Sequence, residues 1–316
     1  MSHDATVQEP QVSVVIPTFN EERHIRSCLR SILSQHTRVS FEVIVVDSST
    51  DATPQIVQAE FPHVRLIRRD QRTFPAEARN LGVERSRGQV VAFVDADCRA
   101  DASWIEAIVA AHQQPYLAVG GSVSLARPYT VAGAALFAIE FSEYLPSGSP
   151  REARWLPSCN LSVKREAFNR YGGFPVTMEA SEDIIFTRHL AVCSGVPLWF
   201  DPRIRVAHMN LNSMEDMRRR LRKLGYWSGR SRHSGLVAGK FLSRLPFLTP
   251  LLVPYRLTVI IGRLLRRLVA DWRLVLWSVV CWPLLTYALC VWASGFRRGV
   301  SEPLEENRRS DTPDHF

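Results

Sequence analysis

The chain has 316 residues, of which 46% are hydrophobic and 22% charged, and this apolar content supports a packed core and excludes a disordered chain. Its six cysteines form no Cys-x-x-Cys pair and no Cys/His ligand spacing, which argues against a disulfide scaffold or a structural zinc site and fits a reducing compartment. The net charge is +8, but residues 1–202 hold 19 basic against 23 acidic side chains, whereas residues 203–273 hold 16 against 3. Because this basic segment directly precedes the most apolar stretch of the chain, we expect a membrane surface rather than nucleic acid as its partner.

The first part of the chain, residues 11–125, alternates short β-rich runs with helical patterns. The strands are expected at 12–16, 41–46, 64–67, 89–94 and 117–123, and the helices at 21–35, 52–60, 75–86 and 102–113. Apolar runs without alternation indicate strands buried on both faces, so the pattern predicts a doubly wound α/β sheet that is mostly parallel. Ligands of such sheets bind beyond the carboxyl ends of the strands. Polar residues follow three of these strands, at 17–21, at Asp47 and at 95–97.

The next part, residues 126–235, has a mixed pattern that predicts mainly helices. They are expected at 131–144 and 164–170, from about Ser181, and at 213–233, where the helix is strongly basic. The membrane-directed part of the chain begins after this basic helix. The expected domains are an N-terminal tail (1–10), an α/β domain (11–235), a membrane-associated region (236–296) and a C-terminal tail (297–316).

Two apolar stretches follow the α/β domain. Residues 274–296 carry no charge for 23 positions, which is long enough to cross a bilayer, and a buried core helix is the alternative. Residues 245–262 contain Arg256 and three prolines, so a re-entrant, an interfacial and a kinked spanning segment are all open. One or two membrane crossings are therefore expected. The N-terminus has no apolar signal region, so we expect the α/β domain to face the cytoplasm at the cell (inner) membrane.

The group Asp95-Ala96-Asp97 follows the fourth expected strand. Alternate residues of a strand face the same side, so both carboxylates would point into one space, where they suit Mg²⁺ or Mn²⁺ together with substrate phosphates. A solvated turn is the alternative. The sequence has no G-x-G-x-x-G after the first strand and no G-x-x-x-x-G-K-[ST] motif, which argues against nicotinamide dehydrogenases and P-loop nucleotidases.

Five segments together resemble the family 2 glycosyltransferases of the GT-A fold. The first three read VVIPTFNEERHIRSCLRSIL, FEVIVVDSSTDAT and PAEARNLGVERSRGQVVAFVDADC. PSCNLSVKREAFNRYGGF and SEDIIFTRHL resemble the family's acceptor-side segment and its Glu-Asp motif. The resemblance covers about residues 11–235 in the family's order. One departure is Asp47-Ser48-Ser49, where the family commonly has Asp-Asp-Gly-Ser.

The resemblance implies a role for each matching position. Asp95 and Asp97 would hold the ribose and the metal-bound diphosphate, and Asp183 would be the general base with Glu182 beside it. The positions implied to contact the nucleotide or line the donor site are Pro17, Thr18, Asn20, Glu21, Asp47, Arg79 and Asn80. The resemblance also implies an inverting reaction, which agrees with a carboxylate base acting from the face opposite the leaving diphosphate.

Several of these positions have a structural alternative. Glu182 and Asp183, like Glu21, would equally suit the first turn of a helix, where acidic groups interact with its dipole. Asn80 would also cap a turn. His208 is either a late metal or diphosphate ligand or a structural histidine. The basic residues of 213–233 either present cations to diphosphate or a phosphorylated lipid, or hold a helix on anionic headgroups.

The sequence therefore predicts a membrane-anchored, metal-dependent glycosyltransferase of cell-envelope polysaccharide or glycolipid biosynthesis. We expect a UDP-sugar as the donor, Mg²⁺ or Mn²⁺ as the cofactor and a lipid-linked or glycan acceptor, with no nucleic-acid partner. A sugar nucleotidyltransferase is one alternative, although its glycine-rich, lysine-bearing first loop is missing from Pro17-Thr18-Phe19-Asn20-Glu21. A non-catalytic membrane scaffold that retains the fold is the other.

Overall fold

The computed structural model describes residues 9–210, 213–266 and 281–302. Within these residues one mixed sheet carries helices on both of its faces. Its strands are β1 Val12–Thr18, β2 Phe41–Asp47, β3 Arg65–Arg68, β4 Val90–Val94, β5 Cys98–Ala100, β6 Ala118–Leu125, β7 Arg151–Ala153, β8 Asn160–Lys164 and β9 Leu198–His208. The helices up to the basic one are α1 Ile25–Leu33, α2 Thr53–Glu60, α3 Pro75–Arg85, α4 Trp104–His112, α5 Val131–Phe141, α6 Arg165–Tyr171, α7 Glu182–Ser194 and α8 Met214–His233.

The strand order is β3-β2-β1-β4-β8-β6-β9-β5, and β7 pairs with the first part of β9. The prediction of a parallel sheet holds for β3, β2, β1 and β4. The strands β1, β2 and β4 are largely buried on both faces, as their apolar runs indicate, whereas the edge strand β3 is partly exposed. Beyond them the sheet is mixed, because β8 runs antiparallel to both β4 and β6. The parallel half places the ends of β1, β2 and β4 at one edge.

Three helices begin at a clear local start signal. Pro75 opens α3, where its fixed φ suits the first helical turn. The Thr130 side chain accepts the Gly133 N–H at the start of α5, and the Ser213 side chain accepts the Asp216 N–H at the start of α8. The first helix begins later than predicted, at Ile25 rather than residue 21, because the chain before it forms an irregular loop.

A buried asparagine joins the central strands. The Asn160 side-chain amide donates to the carbonyl oxygens of Ser122 and Ile204, and its oxygen accepts the indole N–H of Trp104. Asn160 is 1% exposed, so its Asn-x-Ser sequence serves the core and is closed to glycosylation in the folded protein. A Cβ on Gly121 would lie 2.2 Å from the Asn160 amide nitrogen, and glycine is therefore required there.

The C-terminal elements are α9 Phe241–Arg244, a 3₁₀ helix Pro246–Leu251, α10 Leu252–Leu265 and α11 Trp282–Ser301. Of these, α11 packs on α8, and the 3₁₀ helix and α10 pack on α11. Two glycines of α8 and two of α11 form the contact: a Cβ on Gly225 would lie 2.0 Å from the Trp292 carbonyl oxygen, and one on Gly299 would lie 2.1 Å from that of Tyr226. Backbone therefore meets backbone, and α11 lies closer to α8 than side chains would allow.

The packing of α11 on α8 bears on the membrane-associated region that the sequence predicts after residue 235. Of the stretch 274–296, residues 274–280 lie outside the described residues, and 282–296 belong to α11, whose Leu285, Leu289 and Phe296 are buried. The described part of this stretch thus follows the core-helix alternative. The boundary expected at 235 separates two helices that share one buried contact. Within the described residues, Pro246–Leu265 is the segment with the length and hydropathy to cross a bilayer.

Candidate active site

A cavity of about 320 Å³ opens at the carboxyl ends of β1 and β4. This volume is in the range of small-molecule binding sites. Its wall comes from the loop after β1, the loop before α3, the turn after β4, and α5 and α8 above them. The predicted site residues that line it are Pro17, Thr18, Glu21, Arg79, Asp95, Asp97 and His208.

Asp95 and Asp97 lie in a tight turn between β4 and β5. The Cys98 N–H donates to the Asp95 carbonyl at 2.9 Å, which closes the turn. Both carboxylates reach the cavity, as predicted, but the reason differs from the expected one. They share it because the chain turns there, and not because alternate residues of a strand face one side.

His208 approaches Asp97 from the neighbouring strand. His208 and Cys98 are direct partners in the antiparallel pair of β9 and β5, and His208 Nε2 lies 3.5 Å from Asp97 Oδ2. Burial raises the pKa of Asp97 to about 6, and the carboxylates of Asp95 and Glu21 also raise it, whereas His208 opposes the shift. A carboxylate and an imidazole concentrated in this way are suitable ligands for a divalent cation, which would neutralise the buried charge.

Both the ligand types and the spacing of the residues around Asp97 are suitable for a metal ion. The ligand atoms of Asp97, Cys98 and His208 all lie within 4.8 Å of one another. The Asp97 side chain is 25% exposed on the cavity side, so it is open to a cation that carries substrate phosphate. Oxygen and imidazole ligands suit Mn²⁺, and oxygen ligands suit Mg²⁺.

Arg79 connects this turn to the start of α7. Its Nη2 donates to Asp95 Oδ1 at 2.8 Å, and its Nη1 donates to Glu182 Oε1 at 2.8 Å. The Arg79 side chain is 3% exposed, and both acidic partners raise its pKa although burial opposes this. A buried guanidinium needs such partners, and here one Arg lies between two carboxylates, so the three residues form one connected unit.

Asp183 lies next to that unit, in the first turn of α7. Its carboxylate accepts the Ser158 N–H at 3.2 Å and the Ile184 N–H at 2.8 Å. Burial, followed by the neighbouring Glu182 carboxylate, raises the pKa of Asp183 to about 7, although Arg79 and the two N–H groups lower it. Glu182 is committed to Arg79, whereas Asp183 has the pKa of a group that exchanges protons near neutral pH. Neither carboxylate is among the residues that line the cavity.

The structure gives Asp47 a set of protein partners. Asp47 is fully buried, and its carboxylate accepts the hydroxyls of Thr18 at 2.7 Å and Ser49 at 2.5 Å and pairs with Arg68. It does not line the cavity. Asp47 therefore fixes the loops after β1 and β2, and a base that contacts it would have to replace the Arg68 guanidinium.

Asn20 and Asn80 hold backbone segments and lie outside the cavity lining. Asn20 has a left-handed φ of 59°, and its side chain accepts the Thr50 N–H at 2.9 Å. The Asn80 side chain donates to the Phe174 carbonyl and accepts the Phe174 N–H, both at 2.8 Å. Both asparagines thus position loops around the site, and Asn80 does so from inside α3 rather than as the cap of a turn that follows it.

Ser48, at the position where the family commonly has a second Asp, also has a structural partner. Its hydroxyl accepts the Thr73 N–H at 3.1 Å and is buried. Thr73 belongs to the loop before α3 that lines the cavity, so Ser48 holds this loop in place. Ser48 in place of the family's second Asp therefore supports the cavity wall through its bond to Thr73.

Two cations of α8 lie on the far side of the cavity, whereas the sequence indicated such a role only for residues 213–233 as a group and as one of two alternatives. Arg220 donates to Glu140 at 2.8 Å, and Lys223 lies 3.0 Å from a Glu179 carboxylate oxygen. All four residues line the cavity. The three-residue spacing of Arg220 and Lys223 on a basic helix was the available signal. The position of both side chains in the cavity lining favours, for these two residues, the interpretation that the helix presents cations to a diphosphate or a phosphorylated lipid.

Three comparisons place this architecture among known proteins. The profile described as Glycosyl transferase family 2 matches residues 13–136. Glycosyltransferase AglE of Haloferax volcanii is 29% identical over 197 residues, which is 60% of this chain and 64% of AglE, less than two thirds of that relative.

Two solved structures share the fold at lower identity. The mannosyltransferase PcManGT of Pyrobaculum calidifontis, solved with GDP-Man and Mn²⁺, superposes with a TM-score of 0.59 at 21% identity, covering 92% of this chain and 88% of PcManGT. S. aureus TarS 1–349, solved with UDP-GlcNAc, superposes with a TM-score of 0.53 at 18% identity, covering 91% and 89%. The predicted fold is thus confirmed: residues 13–136 match the glycosyl transferase family 2 profile, and the chain shares the GT-A fold of these structures.

Proposed function

We propose that the chain is a metal-dependent, inverting glycosyltransferase that moves a sugar from a nucleoside-diphosphate donor to an acceptor hydroxyl. The observation that carries the proposal is the Arg79 bridge, which joins Asp95 in the cavity to Glu182 beside Asp183. One buried cation thereby sets the metal-binding turn and the candidate base at a fixed separation. A donor held at the turn would present its sugar towards the helix start that carries Asp183.

The donor end of the cavity suits a diphosphate. Asp97 and His208 would hold the divalent cation, Mg²⁺ or Mn²⁺, which when bound stabilises the negative charge that develops on the leaving diphosphate. Arg220 and Lys223 line the same cavity, and their positive charge would support a bound diphosphate. We propose a UDP-sugar as donor; the fold neighbours solved with UDP-GlcNAc and GDP-Man support the nucleoside-diphosphate class.

Asp183 is the proposed base. The acceptor oxygen forms a bond to the anomeric carbon while the bond from that carbon to the diphosphate oxygen breaks, and Asp183 takes the hydroxyl proton. One displacement from the opposite face inverts the anomeric carbon. A pKa of about 7 suits this role, because the carboxylate is then both available and basic near neutral pH. Glu182, which is hydrogen-bonded to Arg79, orients this helix start rather than taking the proton.

The acceptor is proposed to be lipid-linked or a membrane-borne glycan, and the enzyme to work at the cytoplasmic face of the cell membrane. The apolar helix Pro246–Leu265 and the basic charge of residues 203–273 support this location. The α/β domain is proposed to extend over residues 11–235, with 236–296 as its membrane-associated part.

A screen of nucleotide sugars tests the proposal. The purified chain is incubated with each donor, with Mn²⁺, with Mg²⁺ or with a chelator, and slow hydrolysis of the donor is followed. We expect one donor class to be bound and hydrolysed only with the metal, and Asp97→Ala to abolish this. Binding of no nucleotide sugar, or hydrolysis that ignores both the metal and Asp97, would contradict the proposal.

A further inference from the structure

The segment after α8 carries an exposed apolar stripe, which we call the α10 stripe. Phe247, Leu251, Tyr255 and Leu265 are 70%, 62%, 66% and 42% exposed. With Thr258 and Gly262 between them, they follow at intervals of three or four residues, the spacing that lines one side of a helix. A Cβ on Gly262 would meet no atom within 4 Å. The α10 stripe thus extends along both the 3₁₀ helix and α10.

The other side of this segment contacts the rest of the protein at its start, in its middle and at its end. At its start, Leu242 of α9 is buried in the core. In the middle, the Arg256 guanidinium lies 4.1 Å from the centre of the Trp292 ring of α11. At its end, Arg263 donates to Glu143 at 2.7 Å, directly after α5, and the neighbouring Leu264 is buried.

These attachments decide how the segment can meet a membrane. A helix that crosses a bilayer leaves its soluble domain at one end, whereas this one contacts the domain at both ends and in the middle. It packs on α11, which packs on α8, and α8 carries Arg218, Arg219 and Arg222 at exposed positions and cannot enter hydrocarbon. Crossing by Pro246–Leu265 would require these contacts to break.

We propose that the α10 stripe is a docking surface for an anionic lipid bilayer, with α10 lying in the interfacial plane of one leaflet. Charge complementarity selects this partner: exposed Arg244 and Arg266 lie near the two ends of the α10 stripe, and residues 203–273 hold 16 basic against 3 acidic side chains. An apolar face between basic residues is the pattern of interfacial helices. The inference rests on the membrane location in the proposed function and deepens it, because it names the surface that meets the bilayer and how that surface lies in it.

Vesicle flotation of the full-length chain tests this surface. Phosphatidylglycerol-containing vesicles are compared with vesicles of phosphatidylcholine alone, at low and high salt. We expect the parent to float with the anionic vesicles and to be released by high salt. The combined variant Phe247→Gln, Leu251→Gln, Tyr255→Gln should bind about tenfold or more weakly, because three side chains no longer enter the interface.

The matched control replaces exposed apolar side chains elsewhere on the protein. Val131, Val176 and Val192 are 50%, 58% and 80% exposed, and their combined change to Gln should leave vesicle binding unaltered. A thermal melt establishes that each variant is folded, which is expected because all six positions are exposed. An independent variant, Arg244→Gln with Arg266→Gln, should lose the preference for anionic vesicles while keeping the apolar face.

Four results would overturn the proposal. The parent fails to float with anionic vesicles, or the stripe variant floats as well as the parent. The parent remains in membranes after alkaline carbonate extraction, which indicates a spanning helix. The parent is a dimer without vesicles and the stripe variant is a monomer, which indicates that a second copy covers the α10 stripe. None of these measurements uses a sugar donor or a transfer assay. A result against the docking surface is therefore distinct from a result against the proposed activity.

Discussion

Substitution of two adjacent carboxylates, Asp183→Asn and Glu182→Gln, separates the roles that the proposed mechanism gives them. Asn has the size of Asp but cannot usefully take the acceptor proton, so we expect single-turnover transfer to fall about 10²- to 10⁴-fold while donor affinity is kept. Gln retains an oxygen for Arg79 but loses the negative charge. We therefore expect the Glu182→Gln enzyme to transfer sugar, with a changed pH dependence.

The direction of that change follows from the contacts of Asp183. Burial and the Glu182 carboxylate raise the pKa of Asp183 from 3.8 to about 7. Transfer requires the deprotonated carboxylate, so the parent rate should rise with pH and level off above about pH 7. Without the Glu182 charge, Arg79 acts on Asp183 unopposed and the midpoint should move to lower pH. A shift of about one pH unit corresponds to about 1.4 kcal/mol, a plausible size for two partly buried charges.

The assay is single-turnover transfer between about pH 5 and about pH 8, which observes chemistry rather than product release. Glu42→Gln is the control, since Glu42 is a half-buried carboxylate bonded to Ser13 and Arg87 away from the cavity. If Asp183→Asn transfers at the parent rate and Glu182→Gln is inactive, Glu182 is the base. If both transfer normally, the mechanism is wrong, and an unchanged midpoint in Glu182→Gln refutes the pKa argument.

Three further predictions concern stability. The folded ligand-free parent keeps the Asp183 proton up to about pH 7 whereas the unfolded chain releases it near 3.8, so its stability falls as pH rises through this window. The raised pKa costs the parent at most about 4 kcal/mol of its free energy of unfolding at high pH. The substituted Asn avoids this cost but leaves one N–H without an acceptor. Urea unfolding should therefore show Asp183→Asn more stable than the parent by about 1–3 kcal/mol at about pH 8, and equally stable at about pH 4. Gly299→Ala places a Cβ against the Tyr226 carbonyl and should cost about 2 kcal/mol or more, whereas Gly262→Ala, in open space, should be neutral or stabilising by up to about 1 kcal/mol; equal melting temperatures would contradict the packing. A chain truncated after residue 235 exposes the face of α8 that α11 covers, so size-exclusion chromatography should show aggregation, and a stable monomer would contradict the shared contact.

The parallel half of the sheet could be predicted closely because its signal is local. Each of β1, β2 and β4 is an apolar run bounded by polar residues, and helical patterns separate the three. In contrast, β5 and β7 have three residues each, too few for a periodic pattern. The strand β9 contains Pro202, and the register of its pair with β6 shifts between Gly121 and Ser122, so its sequence alternates poorly.

The sequence indicates which residues belong to the candidate site, but not which partners each of them has. Asp95, Asp97 and Asp183 are motif residues, and local sequence marks them. The Arg79–Glu182 pair joins positions 103 residues apart, and no local rule indicates it. The partners of Asp47 come from three separate segments, so a fully occupied carboxylate has the same sequence signal as one that is open to a nucleotide.

Calorimetric titration of the donor identified in the screen, with and without Mn²⁺, decides whether Asp97 holds the metal. We expect the parent and Asp183→Asn to bind the donor with similar affinity when Mn²⁺ is present, and Asp97→Ala to lose this metal-dependent binding while its melting temperature shows it folded. Unchanged donor affinity of Asp97→Ala in Mn²⁺ would contradict the proposed metal site, because Asp97 could not then hold the metal against the diphosphate.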